Sequence, residues 1–131
     1  MSIALFDPSI ASANLGDEII REAVLRELRT LIPDQHIIFL PTQERAGLRS
    51  QRLAGKARWR IVGGTNLLSS HMLRYRQWQV GLVNSARLGP VILMGVGWWQ
   101  YQNAPDLYTR MVLRRLLSRA GVHAARDEYT R

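Results

Sequence analysis

The chain has 131 residues, 47% of them hydrophobic, which is the length of one domain and enough apolar side chain for one buried core. It contains no cysteine, which excludes a disulfide framework and a thiolate metal site and fits a reducing compartment. The net charge of +8 and pI near 11.2 invite a nucleic-acid reading, but 17 of the 18 basic residues are arginines scattered from Arg21 to Arg131 with no long run, so a solvated surface is the expectation and no nucleic-acid partner is foreseen.

Residues 1–7 meet an acid at Asp7 and lack the basic start of a secretory signal, and residues 3–6 within them predict a first strand. A helix follows over 17–31, with Ile19, Ile20, Ala23, Val24, Leu28 and Leu31 on one side. Asp17 and Glu18 suit the positive end of its dipole, Glu22 and Arg26 form an i,i+4 pair, and Pro33 stops it. Residues 36–40 predict a second strand ended by Pro41, and 42–56 a polar, arginine-rich connection with a short helix around 49–53. Residues 59–62 predict the third strand, and 69–88 read as mostly helical with Gly81 as the weak point.

Gly89-Pro90 breaks the chain before a fourth strand over 91–96. The apolar stretch 91–99 that contains it is far too short to cross a bilayer, so no membrane insertion is expected and the chain reads as soluble and cytoplasmic. A loop bearing Trp98, Trp99, Tyr101, Gln102 and Asn103 leads into a helix over 106–120, on which Val112, Leu113, Leu116, Leu117 and Ala120 share an apolar arc opposite Arg114 and Arg115. Gly121 predicts its C-cap, and 122–125 predict a fifth strand. Largely apolar strands separated by helix-length segments imply a parallel sheet covered on both faces: an α/β, Rossmann-like, doubly wound single domain over 1–131.

Four polar or glycine motifs each follow a strand: Asn14-Leu15-Gly16-Asp17, Gly63-Gly64-Thr65-Asn66, Gly95-Val96-Gly97 and Arg126-Asp127-Glu128. In an open parallel sheet those positions share the carboxyl edge, where ligands bind, so Asn14, Gly16, Asp17, Gly63, Gly64 and Arg126 are expected to converge on one site. Thr65, Asn66, Gly97 and Trp98 are the further substrate-contact candidates. Asn14 can cap the first helix, and capping alone explains its motif; the alternative is a ligand site in which Asp17 meets a sugar hydroxyl or acts as general base. Gly63-Gly64 either permits positive φ in a tight turn or lets a ligand approach the backbone.

The chain has neither a dinucleotide fingerprint nor a P-loop. Gly95-Val96-Gly97 suits close helix–sheet packing, while Trp98, Trp99 and Tyr101 suit either the core or stacking on sugar rings. His36, His71 and His123 lack metal-ligand spacing and read as packing residues, with His71 the exception to watch because it follows the Gly63-Gly64 segment. No metal and no cofactor is foreseen.

The ordered set Asn14-Leu15-Gly16-Asp17-Glu18, Gly63-Gly64-Thr65-Asn66-Leu67, Val91-Ile92-Leu93-Met94-Gly95-Val96-Gly97 and Ala125-Arg126-Asp127-Glu128-Tyr129-Thr130 resembles the polysaccharide pyruvyl transferase family. The resemblance implies one half of a two-domain, GT-B-like transferase that moves a pyruvyl group from phosphoenolpyruvate to a sugar of a cell-surface glycan or a lipid-linked precursor, forming a ketal. Arg126 matches the arginine of the family's Arg-Asp motif, where a guanidinium can hold the donor's phosphate or carboxylate bidentately. Thr65 stands where the family often has a third glycine. The Arg-Leu-His motif of the family's second half has no counterpart here, so the chain is expected to be the amino-terminal half, inactive until a missing C-terminal domain or a second copy completes it. The alternatives are half of a nucleotide-sugar glycosyltransferase and a noncatalytic Rossmann-like binding module.

Overall fold

The computed structural model describes residues 1–100 and 102–130; Tyr101, one of the loop aromatics singled out above, and Arg131 lie outside the described residues. In chain order the elements are β1 (Ser2–Asp7), α1 (Leu15–Leu31), β2 (His36–Pro41), α2 (Leu48–Lys56), β3 (Trp59–Leu68), α3 (Leu82–Leu88), β4 (Ile92–Trp98), α4 (Leu107–Leu116), β5 (Ala124–Ala125) and a 3-10 turn, Glu128–Thr130. The strands form one five-stranded sheet in the order β2-β1-β3-β4-β5, parallel throughout. Among the described residues no helix is long and apolar enough to cross a membrane.

Alternation along the central strands explains the two layers of core. Ile3, Leu5 and Ile61 point to one face and pack on Val24, Leu25 and Leu28 of α1. Ala4, Phe6 and Val62 point to the other, where Ala54, Leu88, Val112 and Leu116 of α2, α3 and α4 cover them. Trp78 joins this second core with its ring edge-on to Phe6, the centroids 5.6 Å apart. With α1 on one face and α2, α3 and α4 on the other, the doubly wound α/β class expected from the sequence is the fold of the chain. Its strand order reverses between β1 and β3, so the connections after these two strands leave for opposite faces and open a crevice between them.

Several boundaries differ from the sequence reading. α1 starts at Leu15 because Asn14 caps it. β3 runs on through Gly63-Gly64-Thr65-Asn66 to Leu68, so that segment is strand rather than a loop after it, and Gly95-Val96-Gly97 likewise lies inside β4. Of the helix expected over 69–88 only α3 forms, because Ser69 and Ser70 bond to Gln102 and Asn103 instead of closing helical turns. α4 stops at Leu116: the Val91 N–H donates to the Leu116 carbonyl and Ser118 N–H to Val91, drawing the chain into the sheet four residues before Gly121, which caps nothing. Val122 is 92% exposed and outside β5.

Candidate functional site

The rim above the crevice begins where β1 ends. Asp7 is buried, lies 3.1 Å from Arg21 Nε of α1, and accepts from the Ser9 amide and hydroxyl at 2.8 Å. Those contacts fix the connection that leads to Asn14, whose Oδ1 accepts from the Gly16 N–H at 3.0 Å as the N-cap of α1. Asp17, in the first turn, is buried too and accepts from the Ser12 hydroxyl at 2.5 Å. The result is an oriented carboxylate at the positive end of a helix dipole, with one oxygen committed to a hydroxyl.

The two glycines of β3 have packing reasons. A Cβ at Gly63 would meet the Val24 methyls of α1 at 3.2 Å, and one at Gly64 would stand 2.6 Å from the Gly95 carbonyl oxygen of β4. Neither sits in a positive-φ turn, so the tight-turn reading of this pair falls. The left-handed half of the map is used instead by Thr65 (φ 156°), where the family often has glycine, and by Gly95 (φ 71°), whose missing Cβ faces open space.

Past these glycines the ends of β3, β4 and β5 enclose an open cleft of about 230 Å³ lined by Asn66, Trp98, Gln100, Arg126, Asp127 and Tyr129. Arg126 Nη1 donates to Asn66 Oδ1 at 3.3 Å. Gly97 makes room for both, since a Cβ there would lie 2.6 Å from Asn66 Oδ1 and 3.4 Å from Arg126. The backbone holds the arginine in place: Arg126 N–H donates to the Val96 carbonyl, and the Thr130 hydroxyl accepts from Trp98 N–H while donating to Asp127. Apart from its bond to Asn66, the Arg126 fork makes no hydrogen bond among the described residues, which leaves a planar cation in the cleft. Trp98 packs against the core beneath this cleft, and the ring of Trp99 rests on Tyr75 with centroids 5.1 Å apart.

Two groups of candidates therefore stand at the carboxyl edge, Asn14, Gly16 and Asp17 by α1 and Asn66, Gly97, Trp98 and Arg126 above β3 to β5. They rise from a common contact, Val24 against Gly63. From it Asp17 lies seven residues up the helix and Asn66 three residues up the strand, and both climbs are about 10 Å. No hydrogen bond joins the two groups among the described residues.

A third cluster was not foreseen from the sequence. His71, in a turn rather than a helix, places Nδ1 3.0 Å from Asp106 Oδ2, while Asp106 Oδ1 accepts from Thr109 N–H at 2.7 Å as the N-cap of α4. The Thr109 amide first, and the His71 ring with it, hold the Asp106 carboxyl below the usual carboxylate range. Asp106 directly before an apolar-periodic run is a cap signal; its histidine is 35 positions away and left no trace in the local pattern. Gln102 ties this turn to the cleft, its side chain accepting from Ser70 N–H and its carbonyl from the Tyr129 hydroxyl. His123 is a packing residue: Nδ1 accepts from Leu93 N–H at 3.1 Å and Nε2 lies 2.7 Å from the Ser118 carbonyl. Among the described residues no three His, Asp or Glu side chains are grouped to hold a metal ion.

The family model for polysaccharide pyruvyl transferase matches residues 14–131. No curated protein and no solved structure matches the chain significantly. With nine-tenths of its length under that one description, the chain belongs to the polysaccharide pyruvyl transferase family.

Proposed function

We propose that this chain supplies one wall of an active site that transfers a pyruvyl group from phosphoenolpyruvate to a sugar of a polysaccharide, with Arg126 as the principal donor contact. The observation that carries the reading is the Arg126–Asn66 pair in a cleft at the carboxyl edge, beside the point where strand order reverses, in a chain of this family. A guanidinium held by one hydrogen bond to Asn66, with its other N–H groups still to be paired, suits the phosphate or carboxylate of the donor, and the cleft volume of about 230 Å³ suits a molecule of that size.

In this reading the enol carbon C3 of the donor gains a proton, C2 becomes electrophilic, and a sugar hydroxyl adds there as its proton departs. The C2–O bond to phosphate then breaks, the phosphate leaving with the electron pair and taking up one proton, and a second sugar hydroxyl adds at C2 as its own proton departs, which completes the ketal. Asp17, oriented by Ser12, is the candidate base for a hydroxyl proton. Asn14, Gly16, Gly63, Gly64, Thr65, Asn66, Gly97 and Trp98 complete the proposed wall, the glycines by allowing its backbone to close up. A facing wall, from a further domain or a second copy, supplies the remaining contacts and excludes water, so the 131-residue chain by itself is proposed to bind the donor without turning it over.

Calorimetric titration with phosphoenolpyruvate tests the central step. Arg126→Lys keeps the charge and loses the fork, and Arg126→Ala loses both; affinity should fall in that order. Because Arg126 is exposed, both variants should remain folded by circular dichroism. Unchanged affinity in both would remove Arg126 from donor binding, and binding of a nucleotide sugar in place of phosphoenolpyruvate would move the reading to glycosyl transfer.

A further inference from the structure

The charge of this chain is divided between the two faces of its sheet. α1 carries Asp17, Glu18, Glu22 and Glu27 against Arg21, Arg26 and Arg29, a slight acidic excess, and Arg21 lies within ion-pairing distance of three carboxylates. The three helices on the other face carry no acid at all. Arg49, Arg52 and Lys56 on α2, Arg87 on α3 and Arg110, Arg114 and Arg115 on α4 are all exposed, and none makes an ion pair among the described residues. Asp106, which caps α4, is turned to His71. Nearly the whole net charge of +8 is thus borne by one layer of three adjacent helices, in which α3 packs between α2 and α4.

Apolar side chains are interleaved with these cations. Leu48 is 64% exposed, Val83 78% and Leu107 75%, one on each helix, with Leu53 and Met111 also exposed. Between α2 and α3 lies an open groove of about 560 Å³ lined by Leu48, Gln51, Arg52, Gly55 and Arg87, with two guanidinium groups and no acid. Arginines flanking exposed leucines are what an anionic lipid–water interface selects: the cations meet headgroup phosphates and carboxylates while the short apolar side chains enter the acyl boundary. A nucleic acid would satisfy the cations but leave the leucines in water, and the one aromatic on these helices, Tyr108, packs on the core rather than offering a stacking platform.

We propose that the α2–α3–α4 face docks on an anionic bilayer surface, with the Arg52–Arg87 groove seating a lipid headgroup phosphate. The proposal is independent of the donor chemistry above. It is tested by co-sedimentation of the 131-residue chain with phosphatidylcholine vesicles and with equimolar phosphatidylcholine–phosphatidylserine vesicles. Binding is expected only with the anionic lipid, and to weaken as salt is raised. Arg52→Gln with Arg87→Gln should lower partitioning roughly 25-fold, about five-fold per basic residue. Arg26→Gln with Arg29→Gln on α1, which removes the same charge, should change it less than two- or three-fold.

Leu48→Ser should weaken vesicle binding several-fold without changing retention on heparin. Equal losses in the two arginine pairs, absence of binding to the anionic vesicles, vesicle binding indifferent to Leu48→Ser, or displacement of the vesicles by duplex DNA at lower concentration would each overturn the assignment. All five altered positions are exposed, and far-UV circular dichroism confirms that each variant is folded.

Discussion

Gly64→Ala separates packing from ligand approach in the Gly63-Gly64 pair. The added Cβ would stand 2.6 Å from the Gly95 carbonyl oxygen, 3.2 Å from the Gly95 carbonyl carbon and 3.3 Å from the Met94 carbonyl oxygen. All three are backbone atoms of the neighbouring central strand, so no rotamer change relieves the clash. β3 and β4 would have to part by about half an ångström where Gly63 pairs with Met94 and Thr65 with Val96, which stretches the ladder on either side. Overpacking of this kind costs about 1–3 kcal/mol and a weakened ladder hydrogen bond about 1 more, while alanine returns about 0.4–1 by restricting the unfolded chain. The net loss is about 1–3.5 kcal/mol, a substantial share of the roughly 5–15 that holds such a domain together.

Urea unfolding followed by tryptophan fluorescence and far-UV circular dichroism measures it. Gly55→Ala is the companion variant: Gly55 lies inside α2 with nothing within 4 Å of its absent Cβ, so alanine should stabilise by about 0.5–1 kcal/mol and the two midpoints should move in opposite directions. A Gly64→Ala protein within about 0.5 kcal/mol of the parent at unchanged m would refute the packing argument. If that stable variant also lost phosphoenolpyruvate binding, Gly64 would return to the ligand.

Two further outcomes are expected. Gly97→Ala meets a side-chain oxygen rather than backbone, at 2.6 Å, so Asn66 should swing away from Arg126; stability should change by less than about 1 kcal/mol while donor affinity falls, and unaltered affinity in calorimetry would show that the Asn66–Arg126 bond positions nothing. Asp106→Asn keeps an N-cap and removes the charge. Because the folded-state pKa of Asp106 is depressed, the stability its ionised form contributes is present above the unfolded carboxylate pKa and lost as pH falls through the folded one. Parent and variant should differ by a few tenths of a kcal/mol near neutrality, since the pair is half exposed, and converge in acid; a gap independent of pH would contradict this.

The legible parts of the fold were those set by local chemistry. The alternation in β1, the apolar side of α1 and the Asn14 cap need only neighbouring residues, and the sheet's parallel character follows from the lengths between strands. What misled was glycine. Gly63 and Gly64 resemble a chain break, yet Val24 and the Gly95 carbonyl occupy the space their side chains would need, and β3 continues. Gly121 resembles a helix end, but the pairing of Leu117 with Val91 ends α4 earlier. In the site, Asp17 was legible as a first-turn acid; its orienting hydroxyl on Ser12 and the nearby pairing of Asp7 with Arg21 depend on how the β1–α1 connection folds back. The His71–Asp106 pair joins two loops that meet only once β3 and β4 lie side by side.

β3 outlasts β1. It pairs with β1 as far as Val62 and with β4 as far as Leu68, so among the described residues the stretch around Thr65 and Asn66 has a strand on one side only. On its β1 side that stretch therefore presents main-chain amides and carbonyls at an unzipped margin, half-buried and fixed in place by the neighbouring strand. A ligand lying along it would be read by carbonyls that every amino acid possesses and by N–H groups that only proline lacks. Side-chain scanning would pass over such a wall in silence; replacing single peptide linkages by esters would not.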